Sequence, residues 1–254
     1  MYYLQTILLA QFNDVVGSPI DLVDKTFITE IYESAAQKLP SKVYTTYATL
    51  PSDGETAVDD VDETDDPQEV PSAAASVGCL DGDCTSGKGA MKYSSGAEYV
   101  GEFLNGARNG MGVYTYGQET NAQGRSVQSP TVSYSGMFRN NMKHGKGVLT
   151  WRNGNKYDGD FIDNQIQGFG IKTYKDGRIY EGNWKDGKRA GYGHLTQKDG
   201  SHYFGQYKDN QKHDVSGYAL YIKATGSKWF TKYDSGKLVE SQVINTDEWV
   251  ENTE

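Results

Sequence analysis

Gly82, Gly87 and Lys88 in the stretch GDCTSGKG fit three of the four fixed positions of a phosphate-binding loop, G-x-x-x-x-G-K-[ST]. In that loop the backbone amides cradle phosphates and a final Ser or Thr holds magnesium; here Gly89 occupies that last place. The chemistry also needs a helix immediately downstream, with its N-terminus facing the anion. Residues 90–103, AMKYSSGAEYVGEF, read instead as strand, turn and strand, so a nucleotide site is not expected.

Other reactive side chains lead no further. His144, His194, His202 and His213 form no H-E-x-x-H pair, and no G-x-S-x-G elbow is present. His144 and His213 take the same place beside a recurring glycine pair and read as solvent-facing turn residues. Asp158 and Asp160 share one face of a strand, but Glu181 and Asn183 stand at the same places 23 residues on, which argues for outward polar positions rather than a catalytic pair. The run DDVDETDD lacks the glycine and ligand order of a calcium loop. Cys79 and Cys84 have no neighbouring His for zinc or for nucleophilic work. They flank a turn where they can face each other across two strands, and two readings stay open: a disulfide, which implies an oxidising compartment, or reduced buried thiols. The chain is expected to be no enzyme and to need no cofactor or metal.

The glycines belong to a repeat. YEGNWKDGKRAGYGHLTQKDGSH from Tyr180 and YDGDFIDNQIQGFGIKTYKDGRI from Tyr157 share an aromatic at position 1, Gly at 3, an aromatic at 5, Gly at 12 and 14, and Gly at 21. The frame recurs from Tyr134 and from Tyr99, the latter with a 12-residue insertion inside the polar GQETNAQGRSVQSP, which reads as a loop. It recurs from Tyr203 with Asp214 and Ser216 in place of the paired glycines, and a half-copy follows at Trp229. Counting back from Tyr99 places Gly78, Gly87, Gly89 and Gly96 on the glycine positions of a first, degenerate copy from Ser76.

This pattern resembles the MORN repeat, Y-x-G-x-W/F-x-x-G-x-x-x-G-x-G, over residues 76–239. Each copy predicts a hairpin, turned at Asp-Gly in KDGK of the copy from Tyr180, with rings on one face and glycines leaving room for them. Stacked copies are expected to bury the rings against the glycine strips of their neighbours, giving an all-β repeat array: an elongated, twisted antiparallel sheet. The resemblance implies an interaction scaffold that holds a protein partner along an aromatic groove, here Tyr157, Phe161, Tyr180, Trp184, Tyr203 and Tyr207. It also implies two alternatives. One is a tether to anionic phospholipid, for which Lys143, Lys185, Lys188, Arg189 and Lys212 stand near the turns. The other is an accessory module of an enzyme on another chain.

Around the array, residues 1–50 contain a predicted helix over about 19–39, with Ser18 as N-cap, Pro19 at the first turn and an apolar face of Ile20, Val23, Phe27, Ile31 and Ala35. It caps the array or docks on a partner. Residues 51–75 read as a disordered acidic linker and 240–254 as an acidic tail. Charge divides accordingly, −11 over 1–75, +7 over 76–239 and −5 over 240–254. The dispersed +7 carries no nucleic-acid signature. The opening MYYLQTILLAQF is read as mature chain, a degenerate signal peptide being the competing reading. A cytoplasmic or membrane-peripheral setting is expected, or an exported one if the cysteines are bonded.

Overall fold

The computed structural model describes residues 76–120, 125–214 and 217–244. The expected helix, the acidic linker and residues 245–254 lie outside them. Every regular element among the described residues is a strand. The strands are β1 (Ser76–Gly82), β2 (Lys88–Tyr93), β3 (Glu98–Leu104), β4 (Ala107–Thr115), β5 (Gln118–Thr120), β6 (Ser126–Gln128), β7 (Thr131–Arg139), β8 (Met142–Trp151) and β9 (Lys156–Ile162). They continue as β10 (Gln165–Thr173), β11 (Ile179–Lys185), β12 (Lys188–Thr196), β13 (His202–Lys208), β14 (Gln211–Lys212), β15 (Ala219–Ile222), β16 (Lys228–Asp234) and β17 (Lys237–Ile244). All but β5 and β6 form one 15-stranded sheet in which sequence neighbours pair antiparallel.

The hairpins are made by their turns. Asn105–Gly106, Asn140–Asn141, Asp163–Asn164, Asp186–Gly187, Asp209–Asn210 and Ser235–Gly236 all hold two successive positive φ angles, between 47° and 79°. That is the I′ turn whose twist matches the strands it joins, and Asn, Asp and Gly tolerate it best. The turns also stitch one hairpin to the next. The amide of the second turn residue donates to a carbonyl of the preceding copy in Asn141→Arg108, Asn164→Lys143, Gly187→Ile166 and Asn210→Arg189. The Asn side chains return the favour, accepting from the amides of Arg108, Lys143 and Arg189 at 2.8–2.9 Å.

The two glycines of each pair do different work. Gly110, Gly145, Gly168 and Gly191 have φ between 61° and 97° and sit at a register shift in the pairing with the strand before. They are bulge residues and do not share a face with their partners two residues on, contrary to the expectation from simple alternation. Gly193, by contrast, faces Gly182 directly across the strands. A Cβ on Gly193 would lie 2.5 Å from the Tyr180 ring. The ring therefore lies over the glycines of its own hairpin, not those of a neighbour. The bare patch is created inside each copy, because positions 3 and 14 pair with each other next to the tyrosine.

Two further departures are local. The insertion is not an open loop: β5 and β6 pair as a separate two-stranded ribbon, joined to the sheet through Tyr116 N to Val132 O and Ser129 N to Gly117 O. The half-copy at Trp229 is a complete hairpin, β16 pairing with β17 as far as Ile244. Cys79 and Cys84 are bonded, with Cα atoms 5.9 Å apart. The bond ties β1 to the following turn rather than bridging two strands, since Cys84 precedes β2.

Gly193→Ala is expected to destabilise by about 2–3 kcal/mol in urea unfolding, since the Tyr180 ring must leave its seat. Gly217→Ala, where an added Cβ meets nothing within 4 Å, is expected to be neutral. Reducing the disulfide is expected to remove about 2 kcal/mol from the first hairpin only. Amide exchange in β1 and β2 then accelerates while that in β9–β12 does not change.

Candidate functional site

The feature that runs through the whole sheet is a ladder of rings on one face. Each position-1 tyrosine stacks edge to face on the position-5 ring of its own copy and on that of the next. The series is Tyr99–Phe138, Tyr134–Phe138, Tyr134–Phe161, Tyr157–Phe161, Tyr157–Trp184, Tyr180–Trp184, Tyr180–Tyr207, Tyr203–Tyr207 and Tyr203–Tyr233, with centroids 5.0–5.6 Å apart. These separations and near-perpendicular planes set the positive edge of one ring on the negative face of the next. Each tyrosine hydroxyl is also fixed. It donates to the carbonyl three residues on: Tyr99 to Glu102, Tyr134 to Met137, Tyr157 to Asp160 and Tyr180 to Asn183, at 2.9–3.2 Å. Burial raises the phenol pKa of these four tyrosines well above its ordinary value.

Basic side chains lie inside this ladder. Position 10 of the copies carries Arg108, Lys143, Ile166, Arg189 and Lys212. The Arg189 guanidinium is 4.9 Å from the Tyr207 centroid, and the Lys212 ammonium is 4.6 Å from Tyr203 and 4.8 Å from Tyr233. Arg108 sits 4.8 Å from Tyr114. Where position 10 is Ile166, Lys172 approaches Trp151 and Tyr174 instead, each at 5.0 Å. These are cation–π seats, in which the ring faces take the place of water around the charge.

The structure thus brings the six ring candidates together in one continuous stack. It also places them in the interior: Tyr157, Phe161, Tyr180, Trp184, Tyr203 and Tyr207 are between 0 and 5 % exposed. Trp184 further donates its indole N–H to Gly170 O at 3.1 Å. Of the five basic candidates, Lys143, Arg189 and Lys212 are 0, 5 and 8 % exposed and belong to the ring ladder, not to the rim a membrane surface would meet. The reason is register, since position 10 lies on the ring-bearing face. Lys185 and Lys188, beside the Asp186–Gly187 turn, are the exposed pair, and Lys188 approaches Asp209 at 3.8 Å.

The last full copy modifies the pattern with a buried acid. Asp214 replaces the bulge glycine and accepts from the Tyr203 hydroxyl at 2.7 Å and from the Gln206 amide at 2.8 Å. Burial pushes its carboxyl up, against these hydrogen bonds. Asp158 and Asp160 divide. Asp158 is exposed, whereas Asp160 accepts the Phe169 amide at 3.1 Å beside the Gly168 bulge and pairs with Lys146 at 2.9 Å, a structural use of the acid. His144 and His213 are half-buried beside the next hairpin's acid, 3.4 Å from Asp163 and 3.3 Å from Asp234.

The opposite face carries two features that the repeat frame does not single out. Val100 faces Val113 and Met111 faces Met137 in register, and all four are 43 to 58 % exposed, a contiguous apolar patch. Further along the sheet, His194 Nε2 lies 3.0 Å from His202 Nδ1, and the Phe204 ring stacks on His194 with centroids 4.1 Å apart. Strand alternation could have found both, because positions 2, 4, 13, 15 and 23 must share the face that the rings do not use.

Burial lowers the His194 pKa from 6.5 to about 4, helped by the neighbouring His202. The folded state therefore resists a proton that the unfolded chain accepts below pH 6.5. Stability should fall as pH drops from about 6.5 to about 4, by up to roughly 3 kcal/mol at 1.36 kcal/mol per unit. Urea unfolding across that range should show the slope in the native chain and a clearly smaller one in His194→Gln, where His202, also lowered by burial, still contributes.

Comparison with known proteins agrees with the repeat frame. A family model described as the MORN repeat matches residues 99–119, 134–156, 157–177 and 180–202. Three of the four matches begin at Tyr99, Tyr134 and Tyr157, and the fourth at Tyr180, the position-1 residues of the ladder. No curated protein matches the chain. Among solved structures, the SAS-4 (dCPAP) TCP domain of Drosophila melanogaster, in complex with a proline-rich motif of Ana2 (dSTIL), is similar at 11 % identity. That match covers 63 % of this chain and 90 % of the other, with a TM-score of 0.26. The TCP10 domain of Danio rerio CPAP is similar at 13 % identity over 61 % of this chain and 89 % of the other, with a TM-score of 0.18.

Proposed function

This is a MORN-repeat protein, and we infer from its geometry that it is a non-enzymatic scaffold that binds a protein partner through the face opposite its rings. The observation that carries this reading is the exposed Val100, Val113, Met111 and Met137 patch, joined by direct cross-strand pairing. A soluble chain leaves such a surface open mainly where something docks, and methionine adapts to the shape of what it meets. The charges beside it are already matched: Lys92 pairs with Glu98 at 2.9 Å and Lys88 with Glu102 at 4.0 Å. A self-neutralised rim selects for an apolar protein segment over phosphate groups. The six buried rings, Tyr157 through Tyr207, support this reading from behind by holding the sheet rigid, so the partner meets a preformed surface. The lipid-tether reading retains Lys185 and Lys188 alone among its five residues.

The test compares native chain, Val113→Asp and Lys185→Glu/Lys188→Glu for capture of a cross-linked protein partner, with circular dichroism as a fold control. Val113→Asp should lose the partner by roughly tenfold or more, as for a residue at the centre of an interface, and the double lysine variant should keep it. A partner lost only with the lysine variant, or binding to acidic liposomes that the lysine variant removes, would overturn the assignment of the surface.

A further inference from the structure

We propose that His194 and His202 form a two-imidazole site for a divalent transition metal of the copper and nickel class on the outer face of the sheet. The site lies on β12 and β13, away from the Val–Met patch, and does not depend on the partner reading above. Pairing of these strands sets His194 opposite Phe204 and Thr196 opposite His202. The two histidines are therefore diagonal neighbours on one face, and their ring nitrogens Nε2 and Nδ1 come within 3.0 Å. Thr196 Oγ1 completes a triangle, 3.3 Å from His194 Nε2 and 3.4 Å from His202 Nδ1.

The spacing selects the metal. With metal–nitrogen bonds of about 2.0–2.1 Å, two nitrogens 3.0 Å apart subtend about 90° at the ion. Tetrahedral zinc wants nitrogens spread to about 3.3–3.4 Å, whereas adjacent corners of a tetragonal copper or nickel site match the separation found here. Imidazole suits both of these ions. Each ring turns off the line between the nitrogens to aim its lone pair at the ion, and Thr196 Oγ1 or water takes a further corner. Among the described residues no group of three or more His, Cys, Asp or Glu converges, so the remaining positions belong to water.

One property makes the pair better prepared than an ordinary surface histidine pair. The Phe204 ring, stacked at 4.1 Å and 7° from coplanar, holds the plane of the His194 imidazole. In the metal-free chain one of the two facing nitrogens carries a hydrogen and donates it to the other. On binding, that hydrogen moves through water to the other nitrogen of the same ring, so no net proton is released near neutral pH. The other two histidines offer less. His144 and His213 each stand alone beside a carboxylate, and Asp163 is already held by Arg139 at 2.9 Å.

The experiment uses the full chain without a histidine tag. Cu²⁺ is titrated into the native protein, His202→Ala and His213→Ala, with calorimetry for affinity, electron paramagnetic resonance for the ligand set, and circular dichroism for the fold. One tight Cu²⁺ per native chain is expected, with coupling to two nitrogens. His202→Ala should weaken it by more than the roughly 10–100-fold that loss of a mere outer-shell contact costs, and His213→Ala should leave it unchanged. Nitrogen-15 spectra of the native imidazoles provide a readout that needs no variant: Cu²⁺ at less than one equivalent should broaden His194 and His202 before His144 and His213. Equal affinity in His202→Ala, or broadening of His144 or His213 first, would overturn the site.

Discussion

The seating of one phenol ring over two facing glycines is the interaction on which everything else in this protein depends. Tyr180 covers Gly182 and Gly193 and anchors its hydroxyl on Asn183. The same geometry recurs at Tyr99, Tyr134 and Tyr157. A ring flat on the backbone buries a large apolar area against a single layer of chain, where an ordinary sheet would need a second layer to do so. It also leaves the edge and far face of the ring available. The next copy fills that place with its own position-5 ring, so the local packing of one hairpin becomes the docking site for another. Cooperation between neighbours follows from this, because a copy without its successor leaves half of each tyrosine uncovered.

The buried cations are best understood from the same ladder. A lysine or arginine in an apolar interior is costly unless its charge is matched, and a ring face is one of the few apolar surfaces that attracts a cation. Arg189 and Lys212 lie between the tyrosine of one copy and the position-5 ring of the next, so their stems fill space while their heads meet aromatic faces. Position 10 also accepts Ile166, and Lys172, further along the same strand, meets Trp151 and Tyr174, which lie outside the ladder series. What the ladder requires at this position is therefore a long stem of suitable volume. The charge is accommodated by the rings together with acceptors such as Asn141 O for Arg108 and Asn210 O for Arg189, and is not what defines the repeat.

Much of this was legible in the sequence, and the parts that were not share a physical cause. Fixed spacing revealed the hairpins, the copy boundaries at Tyr134, Tyr157 and Tyr180, and the Asp186–Gly187 turn, because each turn type demands particular residues at particular places. Spacing alone did not reveal which way a side chain faces once a bulge intervenes. The bulge at Gly191 shifts the register by two and turns that glycine to the outer face, while Arg189 keeps the ring face with Gly193. Lys143, Arg189 and Lys212 read as rim charges because they stand near the turns, yet their strand positions turn them into the ring face. The ring over its own glycines was hidden for a related reason: pairing of positions 3 and 14 is a cross-strand fact, and the repeat period records only distances along the chain. The histidine pair escaped notice because its members stand eight residues apart, at positions 15 and 23 of the copy from Tyr180, and meet only through cross-strand pairing.

The two faces of the sheet are consequently under different constraints, and this bears on where function resides. The ring face is specified by packing at nearly every position, so a substitution there is felt as stability before it is felt as binding. The opposite face has no such partner. It keeps only the β-propensity of its residues and the short-range matching of neighbours, such as Glu102 with the Met111 amide and Asp160 with the Phe169 amide. Positions on it vary along the array from Val and Met, through Asp and Glu, to His and Phe, without disturbing the ladder behind. A repeat built this way separates the residues that make the sheet from those that give it an identity. The aromatic signature by which the repeat is recognised therefore says little about what the protein binds, and the changing outer row from Val100 to Phe204 says more.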